Sequence, residues 1–164
     1  QTDGFIYAEN LPTGGAMFSI YLPAHAASAV VSDALPQRAD LTGDGSILLV
    51  EDEDPVRMFS ARALRSKGYR VTEARTGQAA LALLEDVDED FDLLITDVIM
   101  PEMDGPTLIE HVRATQPDLR IICISGYAES TFRDRLNQFD DLHFLAKPFT
   151  LQQLAGKAKE AMAL

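Results

Sequence analysis

Four apolar stretches of this sequence each stop at a side chain that can act as a ligand, a nucleophile or a fixed charge. SILLV runs into Glu51-Asp52, DLLIT into Asp97, RIICI into Ser125 and HFLA into Lys147. A polar residue at the end of one strand is unremarked chemistry; four complementary ones at four strand ends form a set. Clustered carboxylates repel each other unless a divalent cation sits among them. Mg2+ takes few protein oxygens and keeps its waters, so Asp52 and Asp97, with Glu51 in support, make a partial shell for it. An aspartate can accept a phosphoryl group covalently. The cation and the Lys147 ammonium would neutralise charge spread over the phosphoryl oxygens, and the Ser125 hydroxyl would hydrogen-bond the new group.

The elements that must bring these residues together follow from periodicity. From Ser46 onward short apolar runs alternate with helical patterns: SILLV (46–50), YRVTEA (69–74), FDLLITD (91–97), LRIICIS (119–125) and HFLAK (143–147) read as strands. Asp54-Pro55 reads as a cap residue followed by proline at the first helical position, with Val56, Phe59, Ala63 and Leu64 as the apolar stripe and Gly68 as the stop. Further helices are expected from Gly77 to about Leu84 or Val87, from Gly105 to before Pro117, from near Glu129, and after a Thr150 cap, where Leu151, Leu154, Ala155, Ala158 and Met162 share a face. Five apolar strands alternating with helices imply an α/β fold whose parallel sheet is covered on both faces. Ligands on such sheets sit at the carboxyl ends of the strands, where the four polar endings converge.

Two segments precede this pattern. Residues 1–23 read as a β-hairpin, GFIYA and AMFSIYL around Pro12-Thr13-Gly14-Gly15, and a lone hairpin is marginal in water. Residues 24–45, rich in Ala, Ser, Asp, Gly and Pro, read as a linker. With no initiator Met and no signal-like start, the chain is expected to be a piece of a longer protein. Its 26 acidic against 14 basic residues, a net charge of −12, argue against a nucleic-acid backbone partner. The single cysteine, Cys123, gives no disulfide framework and fits a reducing compartment. Apolar runs fall far short of the ~20 residues that span a bilayer, so no membrane contact is expected of these residues.

The motifs LLVEDED, ITDVIMPEMDG, ICISGYAES and FLAKPF, in that order, resemble those of the response-regulator receiver family across residues 46–164, and Asp97 follows Asp52 by 45 residues as Lys147 follows Ser125 by 22. The resemblance implies a flavodoxin-like (CheY-like), doubly wound five-stranded parallel sheet with five helices. It implies Asp97 as phosphoacceptor, Glu51, Asp52, Asp97 and the Ile99 backbone carbonyl as Mg2+ ligands, Ser125 as switch hydroxyl, Phe144 as rotating switch aromatic and Lys147 as phosphoryl contact. Pro148 resembles the family's cis-proline and Asp104-Gly105 the loop that closes the acidic pocket. Glu51 departs from the commoner Asp and lengthens the arm that holds a metal-bound water.

GGAMFSIYLP resembles the closing strand of a histidine-kinase ATP-binding domain, although the Asn-rich and Gly-rich ATP motifs do not precede it. The implied organisation is a remnant of that domain over 1–23, a linker over 24–45 and a receiver over 46–164. It is similar to the carboxyl end of a hybrid sensor histidine kinase, in particular the cell-cycle-control kinases of alphaproteobacteria. The expected function is a phosphorelay in the cytoplasm, from a kinase histidine on a dimerisation bundle to Asp97 and on to a histidine phosphotransfer protein. Such bundles would dock over the first helix and the loop after Lys147, where Pro55, Met58 and Pro148-Phe149 offer apolar surface. Ile99 and Tyr127 would shield the aspartyl phosphate from water while the small Gly126 leaves room for a histidine.

Two rivals are weaker. An aspartyl-phosphate hydrolase of the haloacid-dehalogenase kind needs an acid/base Asp two residues after the nucleophile, where this chain has Ile99. A pure interaction module controlling the attached kinase would lack one of Asp52, Asp97 and Lys147. Other features are bland: Asp86 to Asp90 imitates a calcium loop without the required Gly or Glu, Gly43-Asp44-Gly45 is linker, and His25, His111 and His143 share no ligand spacing. Cys123 is expected to be buried and inert, and Arg57, Arg62 and Arg65 to form a solvated face.

Overall fold

In the computed structural model, residues 4–23, 41–86, 89–126, 133–136 and 139–163 are described. Tyr127, Glu129, Val87, Asp88 and linker residues 24–40, His25 among them, lie outside this set, and Gly126 is the last described residue before the stretch that holds Tyr127 and Glu129. The chain divides into two compact units, Gln1–Ala39 and Asp40–Leu164.

In the first unit, β1 (Phe5–Asn10) and β2 (Ala16–Tyr21) pair antiparallel from Phe5 opposite Tyr21 to Asn10 opposite Ala16. The turn closes through Leu11 and Gly15, with Gly14 and Gly15 at φ of 90° and 96°. Only glycine takes two successive residues there without strain. Phe5, Ile6, Phe18 and Ile20 are exposed on this ribbon.

The second unit alternates strand and helix: β3 (Ser46–Val50), α1 (Asp54–Arg65), β4 (Arg70–Ala74), α2 (Gly77–Leu84), β5 (Leu93–Asp97), α3 (Gly105–Thr115), β6 (Arg120–Ser125), α4 (Arg133–Leu136), β7 (His143–Ala146) and α5 (Leu151–Met162). The five strands form one parallel sheet in the order β4-β3-β5-β6-β7. Alternate residues of each strand feed two cores. Leu48, Leu94, Ile121 and Cys123 pack with Leu108, Ile109 and Val112 of α3 on one face. Ile47, Leu49, Ile95 and Ile122 pack with Leu64 of α1 and Leu154 and Ala158 of α5 on the other. Each buried aliphatic side chain stabilises the sheet by roughly 1.5–3 kcal/mol, which is why the strands carry so few polar residues before their ends.

Several local expectations shift. The N-cap of α1 is Glu53, without a side-chain cap bond, and Asp54 is already helical. Asp54 bonds Arg57 one turn on, so its carboxylate is spent on an ion pair rather than on capping. Phe59 is 48% exposed, because the sheet-facing stripe of α1 runs through Arg57, Ser60, Ala61 and Leu64. Arg57 is thus no part of a solvated face: it is 3% exposed. In α5 the first residue, Leu151, stays exposed, while Ala161 joins Leu154, Ala155 and Ala158 in the interior. Gly43 and Gly45 hydrogen-bond Lys67 and Arg70 on the α1–β4 turn. A Cβ on Gly68 would stand 2.5 Å from the Gly43 carbonyl, at a φ of 104°. Thr150 caps α5 in a capping box with Gln153.

Candidate functional site

The parallel register delivers the polar endings to one rim. Val50 and Thr96 are partners, as are Asp97 and Ile124, and Ser125 and Ala146. Glu51 therefore leaves β3 beside the end of β5, and Lys147 follows β7 beside Ser125. The backbone continues the ladder past the strands: Val98 donates to the Ile124 carbonyl at 2.9 Å and Lys147 to the Ser125 carbonyl at 2.6 Å.

Glu51, Asp97 and Ser125 are buried there, at 1%, 6% and 2% exposure. Buried charge must be paired, and Lys147 pairs it: its Nζ donates to Asp97 Oδ2 at 2.7 Å and to Glu51 Oε2 at 2.9 Å. Asp97 Oδ1 accepts from the Ile99 amide at 3.2 Å, and Glu51 Oε1 from the Glu53 amide at 3.3 Å. Burial pushes the Glu51 carboxyl up from its usual value, and the nearby Asp97 charge adds to that, against the opposing hold of Lys147. For Lys147 burial acts to release the proton, but the bonds to Asp97 and Glu51 prevail and hold the ammonium above its ordinary pKa.

Two carboxylates bond this ammonium, and Asp52 adds a third to the cluster. Ligand oxygens of Glu51, Asp52 and Asp97 lie within 4.8 Å of one another. That spacing, with an excess of negative charge and oxygen-only donors, fits a small hard divalent cation.

The loop after Asp97 is folded tightly beneath the site. The Gly105 amide donates to the Val98 carbonyl at 3.0 Å, and a Cβ on Gly105 would lie 2.4 Å from the Asp97 carbonyl oxygen. Only glycine lets α3 begin so close to the phosphoacceptor candidate's backbone. Asp104 caps α3, accepting from the Thr107 amide at 2.8 Å, and pairs with Arg135 at 3.1 Å. Burial alone would raise the Asp104 carboxyl; the Thr107 and Arg135 bonds outweigh it and hold it below the usual carboxylate range.

Of the other expected residues, Ile99 is half exposed, Phe144 is exposed on the edge strand β7, and the Lys147–Pro148 peptide is cis. Beside Lys147 opens an apolar groove of about 600 Å³ lined by Pro55, Val56, Phe59, Gly126, Pro148 and Phe149; Phe59 was not expected there. His111 bonds the Thr107 carbonyl and His143 faces Glu160, both away from the acidic cluster. Cys123 is buried.

The residue that sequence reasoning missed is Arg57. Its Nη1 donates to the Glu51 carbonyl at 2.8 Å, its Nη2 bonds Asp54, and its Nε faces Glu73 at 3.6 Å. The available signal was spacing: Arg57 sits four and seven residues before Ala61 and Leu64, on the buried stripe.

Residues 47–159 match the response regulator receiver domain family. The sensor kinase CckA of Brucella abortus (strain 2308) is 44% identical over 170 residues, covering 99% of this chain and 18% of that protein. The chain thus spans less than a fifth of that relative's length. The receiver protein CpdR of the same organism is 37% identical over 116 residues, 71% of this chain and 95% of that protein. Among solved structures, the receiver domain of the hybrid histidine kinase CckA superposes with a TM-score of 0.61 at 39% identity, covering 72% of this chain and 99% of that one. NtrX from Brucella abortus gives a TM-score of 0.67 at 26% identity, covering 74% of this chain and 27% of that one.

Proposed function

Because the chain belongs to the response regulator receiver family, as its match over residues 47–159 shows, we propose that it is the phosphoacceptor of a phosphorelay and that Asp97 carries the phosphoryl group. The observation that carries this reading is the Lys147 ammonium held 2.7 Å from Asp97 Oδ2 among three converging carboxylates. An Asp97 carboxylate oxygen attacks the phosphorus of a phosphohistidine; the P–N bond breaks and its electron pair returns to the imidazole. Lys147 compensates charge on the transferring group, and Ser125 donates its hydroxyl to the product. Phe144 follows as the switch aromatic. Glu51, Asp52, Asp97 and the Ile99 carbonyl would hold Mg2+, which would supply further charge neutralisation at the phosphoryl oxygens.

Onward transfer goes to a histidine phosphotransfer protein, and both histidine-bearing bundles dock on the groove beside Lys147; Met58 is exposed on α1, next in sequence to the groove-lining Phe59. The likeness to a sensor kinase over 99% of this chain supports a cytoplasmic place in a hybrid kinase, with 1–23 as ATPase remnant, 24–45 as linker and 46–164 as receiver. No helix among the described residues is long and apolar enough to cross a membrane.

The test is labelling with a phosphorylated kinase bundle, or with a small phosphodonor plus Mg2+, for the parent and for Asp97→Ala. Label is expected on the parent alone, and equal label on both would refute the assignment.

A further inference from the structure

Arg57 has no part in the transfer just described, yet its burial and its partners tie it to the acidic loop. Both peptide groups of Glu51 are held. Its N–H donates to the Ala74 carbonyl at 3.2 Å, and its carbonyl accepts from Arg57 Nη1 at 2.8 Å. The same Nη1 reaches the Asp52 carbonyl at 3.5 Å. The two peptide planes flanking Asp52 therefore both turn toward one guanidinium. Fixing those planes fixes the direction in which the Asp52 side chain leaves the backbone, and the Glu53 N–H on the second plane donates to Glu51 Oε1 at 3.3 Å, which ties that plane to the Glu51 carboxylate as well.

The far side of the guanidinium is anchored as well. Nη2 bonds Asp54, and Nε faces Glu73 on β4, a carboxylate shared with Arg65 at 2.9 Å. A planar fork with fixed donor directions suits this task, whereas the point charge of a lysine does not.

The geometry points to Arg57 as a positioning residue whose guanidinium grips the carbonyls of Glu51 and Asp52 and thereby aims their carboxylates at a divalent cation shared with Asp97. This rests on the phosphoacceptor reading above. Arg57 touches neither cation nor phosphoryl group; it sets how well two of the ligands are presented. Groups that orient metal ligands typically alter metal affinity by about ten- to a hundredfold when removed.

The test compares Arg57→Met, Arg57→Lys and Glu73→Gln in the full chain. Mg2+ affinity is read by calorimetry, thermal stability without metal by circular dichroism, and amide exchange of Asp52 and Glu53 by NMR. Arg57→Met should weaken Mg2+ binding about tenfold or more and speed amide exchange at Asp52 and Glu53 in the metal-free protein. With a small phosphodonor, its half-saturating Mg2+ concentration should rise while the rate at saturating Mg2+ stays near parental. Arg57→Lys should fall between. Glu73→Gln loosens the anchor on the side of the guanidinium away from the carbonyls, so it should weaken Mg2+ binding less than Arg57→Met does. A folded Arg57→Met protein that binds Mg2+ like the parent overturns the inference. So does a loss of Mg2+ affinity that only tracks the loss of stability across the three variants, for the effect is then one of folding. If Arg57→Met does not fold, Arg57→Lys decides: parental affinity and exchange overturn the inference, weakened affinity with faster exchange upholds it. A parent that binds no Mg2+ refutes the phosphoacceptor reading itself.

Discussion

Lys147 Nζ donates to Glu51 Oε2 at 2.9 Å although 96 residues of chain separate the two. Glu51 is almost wholly buried, so its charge depends on that contact. Lys147→Met should destabilise the fold by about 3 kcal/mol at neutral pH, because it leaves buried carboxylates uncompensated. Burial already raises the Glu51 pKa. A raised carboxyl favours the fold below its unfolded value and loses that contribution as pH climbs through the folded one, so the deficit should shrink from pH 8 toward pH 5. Urea denaturation with and without Mg2+ checks both points: the cation should stabilise the variant more than the parent.

Gly105→Ala should cost about 1–3 kcal/mol, since its Cβ would stand 2.4 Å from the Asp97 carbonyl oxygen and the backbone must shift. That shift moves Asp97 itself. Phosphorylation by a small donor should slow even at temperatures where the variant is fully folded, which kinetic labelling would reveal.

Asp104 supplies a pH dependence of opposite sign. Its carboxyl is held below the usual value of 3.8, so its contribution is present above that pH and lost as pH falls through the lowered folded value. Asp104→Ala should cost about 1 kcal/mol at pH 7, the usual worth of an N-cap. The gap between parent and variant melting temperatures should narrow below pH 4 in an acid titration series.

Met58→Asp places a charge on an exposed residue of α1, next in sequence to Phe59, which lines the apolar groove. Transfer from a phosphohistidine bundle should slow about tenfold, or 1.4 kcal/mol, while labelling by a small phosphodonor stays parental. Equal loss with both donors would trace to misfolding.

The strands and their polar endings were legible in the sequence because both follow from one fact: a doubly covered parallel strand is apolar until it reaches the rim. Asp97, Ser125, Lys147 and Glu51-Asp52 announced themselves by breaking such runs. Arg57 did not, since a guanidinium among Arg62 and Arg65 reads as surface, and its burial comes from loop carbonyls that no periodicity encodes. The α1 cap was misplaced for a similar reason. Proline marks the first turn but not which residue of it, and Asp54 is drawn to Arg57 rather than to the free amides. The helical spacing of Phe59 from Ala63 predicts a core position, but the groove beside Lys147 receives it instead.

The carboxylates stand on the inner strands β3 and β5, whereas the ammonium that reconciles them arrives with β7 at the sheet's edge. During synthesis the chain therefore emerges with its acids gathered and no counter-charge until residues 143–147 add to the ladder. Until then the rim repels itself. The last strand of this sheet to leave the ribosome is the clasp of the domain, and truncation before it would leave an intermediate with both an open edge and a frustrated centre, the kind of species that aggregates.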